Sequence, residues 1–151
     1  ITAGNAPGVN DGASAVVVTS EAFARRHGLE ILATIVGQAY VAGEFANLPE
    51  APGQAGHKVL QKAGRRVTDL KRIEINEAFS AVAVHSSRLL DADAEMVNVN
   101  GGAVALGHPI GASGGRIVGT LVHELRRQGG GVGLAAICSG GGHGDALLLE
   151  V

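Results

Sequence analysis

One cysteine, one methionine, one tyrosine, no tryptophan and a charged fraction of 17% leave these 151 residues few side chains with which to do chemistry. The lone Cys138 excludes an internal disulfide framework and every multi-cysteine zinc or iron–sulfur pattern, and it suits a reducing compartment, the cytoplasm. Twelve basic against fourteen acidic side chains provide no broad positive field for nucleic acid or an anionic membrane, so neither is an expected partner. No run approaches the roughly 18 apolar residues of a membrane span, and no basic-then-apolar leader opens the chain. The six histidines show no ligand spacing such as H-E-x-x-H, so no metal is expected.

What is present is a 46% hydrophobic chain, long enough to bury a sizeable core and to fold as a globular α/β unit. Glycine is abundant, with 15 of the 24 in the last 51 residues, which asks for close backbone approaches there. The opening at Ile1, in a Gly/Asn/Pro-rich run without Met, reads as a piece of something longer, with no internal boundary over 1–151.

Periodicity predicts about six strands and four helices in alternation. The expected strands are Ala15–Val18, Ile31–Val41, Arg72–Ile75, Met96–Val99, Val132–Ile137 and Ala146–Val151. The expected helices are Glu21–His27, capped by Ser20 and stopped by Gly28, then Gln54–Ala63, Glu77–Leu90 and Ser113–Gln128. The last carries an apolar stripe of Ile117, Val118, Leu121, Val122 and Leu125, with Arg116, Glu124 and Arg127 on its polar face. Gly43–Gly53 reads as an irregular, proline-punctuated stretch.

Three stretches place a reactive side chain just beyond a strand, where α/β sheets bind ligands: Asn76-Glu77-Ala78-Phe79, Gly107-His108-Pro109, and Cys138 with Gly140, Gly141 and Gly142. Each has a plain structural alternative. A cysteine at a strand end is most often a small buried hydrophobe, a loop histidine is commonly a hydrogen-bonded surface residue, and an asparagine at such a joint usually caps the helix it precedes. The glycines after Cys138 weigh the other way, because their main-chain N–H groups can point together at an oxyanion. Gly131-x-Gly133-x-x-Ala136 matches a loose dinucleotide pattern but precedes a strand, where that motif needs one before it. Gly107–Ser113 is glycine-rich ahead of a helix but lacks the lysine of a P-loop.

Taken together, TAGNAPGVNDGASAVV near the start, INEAF at 75–79, NVNGGAVALGHPIGASGGR at 98–116 and CSGGGHG at 138–144 closely resemble thiolases, in the order and spacing of their C-terminal half. A departure lies within 41–56, where LPEAPGQAG replaces the family's usual Gly-Pro-x-Pro-Ala-like stretch and leaves the local loop open. The resemblance implies a thiolase-type half, a mixed five-stranded sheet with helices on both faces, packed against a similar N-terminal half. It implies acyl-CoA and coenzyme A as substrates with no bound cofactor, an acyltransferase of fatty-acid and lipid metabolism, and a homo-oligomeric complete enzyme.

Carried over by motif, His108 corresponds to the histidine that activates the nucleophilic cysteine, and Cys138 to the acid/base cysteine. Asn76 corresponds to the asparagine that holds an oxyanion-hole water, and Gly140 to the glycine whose N–H helps hold the acyl-enzyme oxyanion. The nucleophile belongs to the N-terminal half, so this chain alone is expected to be inactive. A β-ketoacyl synthase-like domain shares the fold and the histidine loop but works without this cysteine. A non-catalytic, thiolase-like association module is the alternative of another class.

Overall fold

The computed structural model describes residues 1–151. In chain order the elements are α1 (Glu21–Arg26), β1 (Thr34–Ala42), α2 (Ala51–Ala63), β2 (Arg72–Ile75), α3 (Ser80–Leu90), α4 (Ala103–Leu106), α5 (Ser113–Arg127), β3 (Val132–Ser139) and β4 (His143–Glu150). The strands form one mixed sheet in the order β1-β4-β3-β2. β2 and β3 run parallel, with Ile75 opposite Ala136, and the other two pairs are antiparallel.

Alternation along the strands builds two cores, one on each face of the sheet. Leu134, Ala136, Ala146, Leu148, Ile73 and Ile75 point to the face covered by α2 and α3, where Val59, Leu60, Val82 and Leu90 meet them. Ala135 and Leu149 point to the other face and pack with Ile117, Leu121, Val122 and Leu125 of α5, the stripe expected from helical spacing. Helices on both faces and a mixed sheet are thus as expected. The close approaches asked of glycine are real: a Cβ on Gly133 of β3 would lie 2.7 Å from Leu121 Cδ1 and 2.9 Å from Leu125 Cδ1, so its absence lets α5 lie down on the sheet.

The sheet has four strands, not the five implied by the family resemblance or the six read from periodicity. Ala15–Val18 is no strand, because no neighbour within the chain pairs with it, and Val16, Val17 and Val18 stand exposed. Met96–Val99 makes only an isolated bridge, Val97 to Ile73. Asn98 there has φ 49°, a left-handed turn that ends the ladder, and its carboxamide takes over the pairing. Ile75 N donates to Asn98 Oδ1 at 2.8 Å, and Asn98 Nδ2 donates to Ile75 O at 2.9 Å.

Helix boundaries moved for identifiable reasons. The Gly43–Gly53 stretch contains a 3-10 turn, Phe45–Glu50, and α2 begins earlier than expected, at Ala51, because Pro52 fits the first turn of a helix. α3 starts at Ser80, since Asn76 N–H still donates to Ala136 O of the sheet and Phe79 is extended, with φ −150° and ψ 156°. The polar face of α5 is partly buried: Glu124 is 4% exposed and gathers Arg127, Gln128, Asn100 and Arg72. No helix is long and apolar enough to cross a membrane.

Candidate active site

The parallel pair β2 and β3 sets the site, because both strands end on the same edge of the sheet. Asn76 is the first residue past β2, its N–H donating to Ala136 O at 2.9 Å, and Cys138 lies two residues further along β3. β2 reads Arg72-Ile73-Glu74-Ile75-Asn76. Its isoleucines enter the core, so the opposite face presents Arg72 and Glu74 toward α5 and carries the alternation on to Asn76.

Asn76 is fully buried and caps nothing. α3 has Phe79 at its N-cap position without a side-chain bond, whereas the Asn76 carboxamide lies between Arg116 and His108. Arg116 Nη2 donates to Asn76 Oδ1 at 3.4 Å, and Asn76 Nδ2 faces His108 Nε2 at 3.5 Å, a long contact. The capping alternative is therefore overturned.

His108 is held from both of its sides. Its main-chain N–H reaches Gly8 O at 3.2 Å and Asn10 Oδ1 at 3.1 Å, so the Gly8–Asn10 segment clasps the loop. Gly107 before it has φ 102°, and a Cβ there would strike the Asn10 carboxamide, a position open only to glycine. On the ring, His108 Nδ1 lies 2.6 Å from Ser113 Oγ, and Ser113 Oγ donates to Pro109 O at 3.0 Å. With the serine proton so engaged, Nδ1 carries the imidazole hydrogen and Nε2 keeps its lone pair toward Asn76. Burial, and then the nearby Arg116 charge, hold the imidazole below its usual pKa of 6.5, which keeps it neutral and basic at pH 7.

Cys138 sits at the open end of β3, partly buried against the core, and burial pushes its thiol above the ordinary 9.0. Gly140, Gly141 and Gly142 form the turn to β4, and their N–H groups donate to no acceptor in the protein. His143 Nδ1 bonds Gly140 O at 2.8 Å, and Gly43 N donates to Gly142 O at 3.0 Å, so carbonyls of this turn are tied down while its amides stay free. Asn76 and Cys138 thus lie at the carboxyl ends of the paired strands β2 and β3, on opposite faces of the sheet, and His108 meets the Asn76 side chain at 3.5 Å.

Sequence reasoning missed the residues that hold them. Ser113 and Arg116, three apart in the first turn of α5, face the same way and grip His108 and Asn76 respectively. Glu77 accepts from Asn98 Nδ2 at 3.2 Å and Val104 N at 2.9 Å, stapling the INEAF segment to the loop that leads to His108. Glu74 is 3% exposed, with its Oε2 unpartnered, and burial raises its carboxyl to about 7 against the pull of Arg116. The signal available was the polar alternation Arg72, Glu74, Asn76 on a strand whose other face is apolar. No three His, Cys, Asp or Glu side chains come together as a metal cluster.

A family model described as the thiolase C-terminal domain matches residues 29–151. The acetyl-CoA acetyltransferase of Shinella zoogloeoides is 48% identical over 150 residues, which are 99% of this chain and 38% of that protein. That of Paracoccus denitrificans is 50% identical with the same coverage. The crystal structure of the Bacillus anthracis acetyl-CoA acetyltransferase matches 99% of this chain and 38% of its own at TM-score 0.95 and 45% identity. Human mitochondrial 3-ketoacyl-CoA thiolase matches with the same coverage at TM-score 0.91 and 42% identity. The chain therefore spans less than two fifths of the length of these relatives.

Proposed function

Because this chain belongs to the thiolase family, as its C-terminal domain, we propose that it is one half of an acyltransferase that moves acyl groups between coenzyme A thioesters, by Claisen condensation or thiolysis. The observation that carries this reading is the contact of His108 Nε2 with the buried Asn76 carboxamide, the ring being held at Nδ1 by Ser113. The printed names of the relatives suggest acetyl-CoA as the acyl donor. The partner is an N-terminal half that supplies the nucleophilic cysteine, and the complete enzyme is a homo-oligomer. The unpaired Cys138 suits the cytosol.

The chemistry follows from these groups. The nucleophilic thiol gives its proton to His108 Nε2 and attacks the thioester carbonyl, whose oxyanion meets the Gly140 N–H. Cys138, kept protonated by its burial, gives its proton to the departing coenzyme A sulfur and becomes the base. It then takes a proton from the carbon beside the second thioester. The resulting enolate oxygen is held by His108 Nε2–H and a water on Asn76, and the carbon attacks the acyl group. The nucleophile leaves and regains its proton from His108. In thiolysis Cys138 deprotonates the incoming coenzyme A instead.

Incubated with radiolabelled acetyl-CoA, the 151-residue chain should acquire no acetyl label and make no acetoacetyl-CoA, and addition of a folded thiolase N-terminal half should restore both. Acetylation of Cys138 with steady turnover by the chain alone would overturn the division of roles. No turnover after tight association with the N-terminal half would favour the non-catalytic module.

A further inference from the structure

The first turn of α5 does more than begin a helix. Its Ser113 fixes the ring of His108, and Arg116, one turn on, reaches Asn76 with one of the five N–H donors of its guanidinium. The rest of that guanidinium is poorly served: Nε and Nη1 are buried without a partner, as is Oε2 of Glu74 on the facing strand. Buried unpaired polar atoms are costly, and an apolar side chain of similar length would avoid that cost. The arginine is therefore explained by what Nη2 does.

Resting on the reading of His108 and Asn76 given above, we propose that Arg116 is a positioning residue of the site: from α5 it fixes and polarises the Asn76 carboxamide. A carboxamide has two ends of similar shape, one accepting and one donating. Arg116 occupies the accepting end, so the donating Nδ2 must face His108 Nε2 and any oxyanion beyond it. Without the arginine the amide can turn over and set its oxygen against the histidine lone pair, which removes the donor. A cationic donor on Oδ1 also draws electron density from the amide and strengthens its N–H groups. The same guanidinium is the charge that acts on His108 through space.

The test is 15N NMR of the 151-residue chain, which needs no turnover and so separates this proposal from the proposed activity. In Arg116→Met the Asn76 Nδ2 protons should move upfield, and the His108 titration midpoint should rise toward the free value of 6.5. Arg116→Lys keeps the charge without the planar fork, so it should move the Asn76 resonances while leaving the His108 midpoint low. It also serves if the methionine variant does not fold. Arg127→Met, on the exposed side of α5, should change neither signal. Unchanged Asn76 and His108 signals in a folded Arg116 variant would overturn the proposal.

Discussion

His108 and Cys138 differ in what their environments let them do, and substitutions should separate them. Under the proposed function His108 serves both half-reactions, so His108→Ala in the complete enzyme should slow acyl transfer and condensation together. Cys138→Ser should still allow the nucleophile to be acylated but lower condensation by about a hundredfold or more, because a hydroxyl is a far weaker base. Acyl labelling and product formation measured side by side decide the point, and equal loss of both in Cys138→Ser would remove the assigned role. Glu74 belongs to the same scale. Its carboxyl titrates near 7 in the folded chain against 4.5 when unfolded, so between these values the folded state holds a proton that the unfolded state has released. Stability from this group is full below pH 4.5 and lost as pH rises through 7, and Glu74→Gln should flatten that fall in urea titrations across the range. Glu124 works in the opposite sense: bonds from Arg127 and Asn100 hold it down to about 2, so its contribution is lost as pH falls from 4.5 toward 2. His108, Cys138 and Gly140 could be picked out in the sequence because each lies in a motif with glycine or proline neighbours, and Asn76 because it directly follows the short strand Arg72–Ile75. Glu74, Ser113 and Arg116 could not, since a charged residue on a short strand or in a helix reads as surface until the two elements are known to face each other.

At the scale of elements, α5 is the part on which the site depends, because one helix carries a core stripe and the two side chains that grip His108 and Asn76. Leu121 is fully buried, and Leu121→Ala should cost about 2 to 5 kcal/mol of stability. Gly133→Ala drives a methyl to 2.7 Å from Leu121 Cδ1 and 2.9 Å from Leu125 Cδ1, which should cost about 1 to 3 kcal/mol. In the double variant the new methyl enters space vacated by the leucine, so its loss should fall short of the sum of the two. Strict additivity in urea unfolding would mean that α5 does not rest on Gly133. Helices with their own caps and stripes, such as α1 and α5, were legible from local pattern, as were the strands in the sheet interior. Ala15–Val18 and Met96–Val99 were not, because a strand exists only if a neighbour pairs with it, and Asn98 turns the chain away from β2 after one bridge.

For the molecule as a whole, the exposed valines and the sheet face beside α5 are two views of one feature. Val16, Val17 and Val18 line a groove of about 1060 Å³ with Val118, Ile137 and Leu147, apolar surface that the chain does not fully cover for itself. Under the proposed function, this is the surface offered to the N-terminal half, and that explains why β-branched residues that pair with nothing are kept there. Val17 is 86% exposed, so Val17→Asp should change the stability of the isolated chain by no more than about 0.5 kcal/mol. Its effect should appear in association instead. A carboxylate placed in an apolar contact loses water without gaining a partner, and the concentration of N-terminal half needed for half-maximal complementation should rise at least about tenfold, or 1.4 kcal/mol. The same change should reduce self-association of the chain in sedimentation at high concentration. If Val17→Asp complements at the wild-type midpoint, the two halves meet elsewhere, and the groove is not the face on which the nucleophile is brought to His108.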